Sequence, residues 1–472
     1  MRFGIYLIIF TSVAGLHAQS RRVNPSQTAN PAIYAANDVS VKQMFDEANA
    51  YNKTKFAEFE SKKIVYSEKM RLQTEREQRR FAAKYAAIAV LRSNLTGEDL
   101  YHLGLLHWIA ENFDGTSETL RKYILMDDAV AEKAQTARSI VAVIAAKQKK
   151  FDQALSFLAE YTKKQPVKLS ERTRMESEIA KAYVAEKKFA EATPHAADAY
   201  HFSKIILQDG ARTKRGLDEV LDNGLLLHDC HKKLGNLKEA DETLDDLRKV
   251  GATMGSASLY FYAADKLITY RIETGRKPLA LETYQALLIQ AGKDLPLKPS
   301  QDEAVKALKK REKQYRLLGE IAPEMTTIDK WFPGKPQTLF ELRGKVVLLD
   351  FWATWCGPCF DAFPSLAEWH RDHKGDGLVV LGITRYYGRA DGFNVDNPNE
   401  IEFLKRFKAR HDLPYDFLVA KDQASHQLFT ATGLPTALLI DRKGVIRYIE
   451  SGTNPSRIEE MREMMLKLLA EK

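Results

Sequence analysis

From about residue 38 to residue 320, apolar residues return every three or four positions, prolines are few, and Ala, Leu, Glu and Lys fill the intervals. That spacing gathers the apolar positions on one helical face and predicts an all-α region. Residues 40–92 read as one long helix or a helical pair, with Phe45, Phe56, Phe59, Tyr66 and Phe81 supplying apolar contacts. A degenerate repeat follows. An aromatic or apolar residue, two spacers and a small residue recur as Phe113/Thr116, Phe151/Ala154, Phe189/Ala192 and Leu237/Ala240, with a looser copy at Lys277/Ala280. Further apolar pairs come seven and ten positions on, as in Leu120/Tyr123, Leu158/Tyr161 and Leu244/Leu247. Each unit predicts a helix, a short turn such as Lys149-Lys150 or Gly235-Asn236, and a second helix.

After the charged stretch 301–319 the period changes. Residues 345–351 and 377–384 are short apolar runs suited to buried strands, joined by a helical stretch from Cys356 to about His373. A strand–helix–strand unit implies parallel neighbours. The pattern then predicts a helix over about 398–411, a strand at Asp416–Ala420 and a helix at 423–432. Strands at 436–441 and 445–449 flank the turn Arg442-Lys443-Gly444, and a last helix covers about 455–470. Residues 385–398, including Tyr386 and Tyr387, form a long connection expected to border a site at the strand ends. The fold class is therefore multidomain, an all-α N-terminal region followed by an α/β domain.

The chemistry lies at the end of the first of these strands. Residues 352–359 read Trp-Ala-Thr-Trp-Cys-Gly-Pro-Cys. Two residues between Cys356 and Cys359 let both sulfurs meet on one helical turn, so a disulfide can form and break without unfolding. A helix start at Cys356 favours its thiolate through unpaired N–H groups and the dipole. Pro358 fits the first turn, where its missing N–H costs little. Asp350 stands in an otherwise apolar strand. Burial there raises its pKa and suits it to take the proton that Cys359 loses on attack, whereas a strand-end aspartate in solvent is the alternative. Downstream, Thr432-Gly433-Leu434-Pro435-Thr436 leads into a strand. A cis Leu434–Pro435 bond would leave the Leu434 main chain to pair with an extended substrate, and an ordinary trans proline is the alternative.

These residues carry a resemblance. Leu342-Arg343-Gly344-Lys345-Val346-Val347-Leu348, the run from Asp350 through Cys359, Gly433-Leu434-Pro435-Thr436 and the upstream Ile321-Ala322-Pro323 resemble the thioredoxin superfamily. The likeness is specifically to extracytoplasmic TlpA/ResA-like thiol–disulfide oxidoreductases, and it covers about 322–472. It implies a thioredoxin fold of TlpA/AhpC-TSA type over 321–472. Cys356 is then the exposed nucleophile, Cys359 the resolving thiol, Asp350 the buried carboxylate, Pro435 the cis-proline facing the sulfurs and Pro364 the proline that kinks the active-site helix. Trp355, Gly357, Pro358, Leu434 and Pro435 are implied to meet the substrate. Many TlpA-like members carry an acid three positions after the second cysteine, where this chain has Ala362, so the role of that carboxylate does not carry over. Glu400 and Glu402 lie in the central insertion. The helical repeats in turn resemble stretched tetratricopeptide repeats, with an irregular bundle as the alternative.

The N-terminus alters what the dithiol means. Arg2, an apolar stretch over 3–16 and Leu16-His17-Ala18 have the anatomy of a signal peptide over 1–18, followed by a flexible segment over 19–37. Retention as an N-terminal anchor is the alternative. Export to the periplasm or cell envelope follows from this reading. Three cysteines in 472 residues cannot form a disulfide framework, which leaves Cys356 and Cys359 for exchange. Cys230, beside His228 and His231, reads as a small buried hydrophobe, because that spacing does not bring all three side chains to one helical face as a metal site requires. The formal charge of +8 comes from lysines and arginines alternating with acids on helical faces. No nucleic-acid motif accompanies it, and no cofactor is expected. The reading is an exported oxidoreductase that reduces client protein disulfides, recharged by a membrane electron donor as the resemblance implies. Its helical region would engage another envelope protein. A helical scaffold with an ancillary redox domain, or an oxidase or isomerase of disulfides, are the other classes.

Overall fold

The computed structural model describes residues 39–209, 214–452 and 455–471. The segments read as signal peptide and flexible leader lie outside the described residues. Among the described residues, thirteen helices precede the first strand: α1 (Val41–Ser61), α2 (Glu68–Val90), α3 (Gly97–Ile109), α4 (Phe113–Ile124), α5 (Ala131–Lys147), α6 (Phe151–Lys163), α7 (Leu169–Ala185), α8 (Phe189–Asp209), α9 (Lys214–Leu234), α10 (Leu237–Thr253), α11 (Ala257–Glu273), α12 (Lys277–Asp294) and α13 (Lys298–Leu317). Residues 40–92 thus form a helical pair. Ser40, Ser67 and Thr96 cap the first three helices by accepting from the N–H three residues on.

The repeat seen in the sequence has a backbone counterpart. Glu111, Lys149, Lys187, Gly235 and Gly275 each adopt a positive φ of 57° to 77° just before α4, α6, α8, α10 and α12. The next residue's N–H reaches back five positions, as in Asn112 to His107 (2.9 Å), Lys150 to Ala145 (2.8 Å) and Asn236 to His231 (3.0 Å). These are Schellman-type helix ends. The small residues Thr116, Ala154, Ala192, Ala240 and Ala280 are all 0 % exposed. A larger side chain at those positions would force the helices apart.

The described residues fall into two compact units, divided within α10 between Thr243 and Leu244. In the first, α1, α2 and α3 pack through Val41, Met44, Ala48, Ala82, Ala86, Leu103 and Leu106. The second carries the sheet. Its strands are β1 (Ile328–Phe332), β2 (Val346–Phe351), β3 (Leu378–Arg385), β6 (Asp416–Ala420), β7 (Thr436–Ile440) and β8 (Ile446–Ser451), with a separate small hairpin of β4 (Arg389–Ala390) and β5 (Phe393–Asn394). The order is β1-β6-β3-β2-β7-β8. β2, β3 and β6 run parallel, and β1, β7 and β8 antiparallel to their neighbours. The helices of this part are α14 (Gly357–Phe360), α15 (Phe363–His373), α16 (Asn397–Arg410), α17 (Ala424–Leu428) and α18 (Pro455–Ala470).

Every residue of β2 is buried, because both faces of the sheet are covered. Val346 and Leu348 face Leu366 and Trp369 of α15, Leu404 and Phe407 of α16, and Met465 and Leu468 of α18. Val347, Leu349 and Phe351 belong to the opposite layer, with Ile268 and Ile272 of α11, Leu308 and Tyr315 of α13, and Phe429. The unit that holds the sheet therefore starts upstream of the boundary expected at 320/321. Polar groups reinforce the seam. Arg311 of α13 bonds Asp265 of α11 (2.9 Å), Glu450 of β8 (3.1 Å) and the Ile449 carbonyl (3.2 Å), and the Tyr315 hydroxyl donates to Asp265 (2.6 Å). Just past α13 the chain pairs with the sheet edge, Gly319 N–H to Ile446 (2.8 Å), Ile446 N–H to Glu320 (2.9 Å) and Ala322 N–H to Gly444 (2.8 Å).

Three local expectations are corrected. The helix expected from 356 to 373 is split into α14 and α15, because Pro364 in the first turn of α15 cannot donate back across the break. The helix expected over 423–432 is the short α17, ended by Thr430 at φ 57°. The connection at 385–398 contains the β4–β5 hairpin, and β1 was not anticipated because four of its five residues are only half-buried and Lys330 is exposed. In the first unit Cys230 is fully buried, and desolvation pushes its thiol up to about 11. His228 is bonded to the Ala240 carbonyl instead (3.1 Å).

Candidate active site

β2 delivers the chain to the site. After Phe351, Trp352 turns into the core, its main-chain N–H donating to the Ile383 carbonyl (3.0 Å) and its indole stacked 5.2 Å from Phe407 and edge-on to Phe363 at 5.6 Å. Cys356 caps α14 and Cys359 lies within it. The two are joined by a disulfide of 2.07 Å with Cα atoms 5.4 Å apart. The expected exposed nucleophile is not exposed in this disulfide form, Cys356 being 4 % and Cys359 1 % accessible. Both are packed into the core layer that holds Trp352 and Phe363. The surface around them is built by Trp355, Gly357 and Pro358, all exposed.

Asp350 is 2 % exposed, and one of its carboxylate oxygens has no hydrogen-bond partner. Along β2 the side chains alternate, so Asp350 shares the face of Val346 and Leu348, the layer that contains both cysteines. Desolvation pushes its pKa from 3.8 up to about 7. Between these values the folded chain holds a proton that the unfolded chain releases, so stability falls as pH rises through this window. The fall totals roughly 4 kcal/mol at ~1.36 kcal/mol per unit, and stability is level above the window. We expect Asp350→Asn to remove this slope and to make the disulfide form more stable at pH 8. Release of client by Cys359 should slow on the order of 100-fold. Denaturation followed from pH 4 to 9 checks the first effect and single-turnover kinetics the second. A wild-type stability that does not fall over that range would remove the protonated buried carboxyl.

The Leu434–Pro435 bond is cis. Leu434 is half-buried and packs against both core layers, while Pro435 is buried and its carbonyl accepts from Gly452 N–H (2.8 Å). Thr436 fixes the loop by donating to Gly433 (2.6 Å) and sharing a hydrogen bond with Ser451 (2.9 Å).

The long connection does reach the site. Trp355, 62 % exposed, meets the Tyr387 ring edge-on at 5.4 Å. Glu400 is buried and receives the N–H groups of Tyr387 and Gly388, each at 2.9 Å, so it anchors the connection. It is not a free carboxylate standing in for the one replaced by Ala362. Glu402 pairs with Lys405 (2.7 Å). The sequence reading missed Arg385, whose guanidinium lies 4.3 Å over the Tyr387 ring. A cation at a strand end before two tyrosines was the available signal.

A central parallel βαβ unit, a dithiol at the end of its first strand and a cis-proline loop define a thioredoxin-like thiol–disulfide oxidoreductase. Residues 318–449 match the AhpC/TSA family. The chain is 29% identical over 142 residues to Thiol-disulfide oxidoreductase ResA of Geobacillus kaustophilus, covering 30% of this chain and 74% of that one. It is 30% identical over 135 residues to Thioredoxin-like protein YneN of Bacillus subtilis, covering 29% and 72%. Against Protein DipZ of Mycobacterium bovis the figures are 32% over 143 residues, 29% of this chain and 19% of that one. The chain belongs to this AhpC/TSA, thioredoxin-like family through its C-terminal part.

Proposed function

We propose that the protein is an exported reductant of client protein disulfides whose helical region engages a partner in the cell envelope. The observation that carries this reading is the Cys356–Cys359 disulfide in a rim of exposed Trp355, Gly357 and Pro358, in the same layer as a buried, high-pKa Asp350. In the reduced protein the Cys356 thiolate attacks one sulfur of a client disulfide. The client S–S bond breaks, one client thiolate leaves, and a mixed disulfide forms. Cys359 gives its proton to Asp350 and attacks the Cys356 sulfur, which releases the second client thiolate. Two electrons have passed to the client and Cys356–Cys359 is oxidised. A dithiol donor, membrane-borne in this reading, returns the electrons by the reverse exchange.

Export rests on the signal-like residues 1–18, and partner binding on the tetratricopeptide-like spacing of the helices. The reducing direction rests on the Gly-Pro dipeptide shared with thioredoxin, whose potential is ~−270 mV against ~−120 mV for DsbA. Equilibration of the purified full chain with glutathione and dithiothreitol buffers should give a potential well below about −200 mV. A value above about −150 mV would assign the protein to oxidation instead.

A further inference from the structure

We propose that Arg385 forms an anion subsite beside the dithiol, which selects client segments bearing an Asp or Glu about two residues from the attacked cysteine. This rests on the oxidoreductase reading and names the class of client it takes. Arg385 is the last residue of β3, at the strand end where the site lies. A chain of side-chain contacts runs from it to the residue that precedes the dithiol. Its guanidinium covers Tyr387 at 4.3 Å, Tyr387 meets Trp355 at 5.4 Å, and Trp355 immediately precedes Cys356. The guanidinium hydrogen-bonds the Tyr387 side chain and donates a long bond to the Tyr386 carbonyl (3.5 Å), and among the described residues no carboxylate pairs with it. A guanidinium placed over a ring in this way can still offer N–H groups to a carboxylate.

Two of the neighbouring acids are already engaged. Glu400 is held by two backbone N–H groups, and Asp329 by the Tyr386 hydroxyl (2.8 Å) and more distantly by Lys330 and Lys421 (3.9 Å each). Asp361 and Asp391 are exposed, at the end of α14 and in the turn of the β4–β5 hairpin. Arg389 adds a second exposed cation on β4. His426 adds none at neutral pH, since burial and the Arg385 charge hold it down at about 4. In an extended client, side chains on one face repeat every ~7 Å. An acid two residues from the cysteine therefore faces the same surface as the sulfur under attack.

The test uses the reduced full-length protein and peptide disulfides that differ only in carrying Glu, Gln or Lys two residues from each cysteine. Hydroxyethyl disulfide serves as a small neutral substrate. We expect the Glu peptide to react about three- to fivefold faster than the Gln peptide, the effect of one part-buried ion pair, and the Lys peptide to react more slowly than Gln. The preference should shrink with added salt, persist in Arg385→Lys, disappear in Arg385→Gln and reverse in Arg385→Glu. Equal rates for the Glu and Lys peptides, or an order that Arg385→Glu leaves unchanged, would overturn the subsite. If the wild-type dithiol fails even with hydroxyethyl disulfide, the oxidoreductase reading falls as well. Reaction with that compound without a charge order among the peptides removes the subsite alone.

Discussion

Cys356→Ser should abolish disulfide reduction, lowering the rate by on the order of a thousandfold or more, because a serine hydroxyl supplies no thiolate at neutral pH. Cys359→Ser should fail differently. Cys356 still attacks, but nothing resolves the adduct, so clients accumulate as mixed disulfides through Cys356. Insulin reduction by the full chain measures the first loss. Non-reducing gels and mass spectrometry of adducts from cells making the Cys359→Ser protein read the second, and identify the clients. Undiminished reduction by Cys356→Ser would dissolve the dithiol mechanism. Adducts that form equally on the double variant would mean that capture does not pass through this sulfur.

A fragment covering 321–472 should not hold the native fold, whereas one covering 237–472 should. The shorter fragment loses Ile268, Ile272, Leu308 and Tyr315 from the layer that covers Val347, Leu349 and Phe351. A buried side chain of this size contributes ~1.5–3 kcal/mol. Four of them approach on the order of 10 kcal/mol, comparable with the whole stability of a domain at ~5–15 kcal/mol. Loss of Arg311 also removes the nearer of the two cations that pair with Glu450. Thermal melts and hydrogen exchange on the two fragments decide the matter. A cooperative melt of 321–472 at the temperature of the longer fragment would show that the helices are dispensable to the sheet.

Much of this was legible in the sequence, for identifiable reasons. The strands 346–351, 378–385 and 436–440 are announced by apolar runs that only a doubly covered sheet explains. The cysteine pair stands out by its spacing and Asp350 as a carboxylate in an apolar strand, whereas the cis Leu434–Pro435 bond was expected through the resemblance, the residues alone leaving a trans proline open. The repeat was readable in its small residues, since Ala154, Ala192 and Ala240 are where helix backbones come close. Its turns were less so. Glu111, Lys149 and Lys187 occupy a left-handed conformation usually taken by glycine, and nothing in a charged residue signals that. The burial of Cys356 escaped notice because it depends on how Trp352 and Phe363 pack around the bond. That α11 and α13 cover the sheet was also hidden, because amphipathic spacing gives a helix an apolar face without naming what that face meets. Glu400 looked like a spare acid and proved to be a clasp for the main chain of 387–388.

The short pairing of residues 319–322 with the outer margin of β8 has a bearing on assembly. A bare margin would invite a neighbouring molecule to add a strand of its own and so seed polymers. Here the chain plugs part of that opening with its own backbone. A neighbouring molecule is thereby denied part of the flank of the sheet.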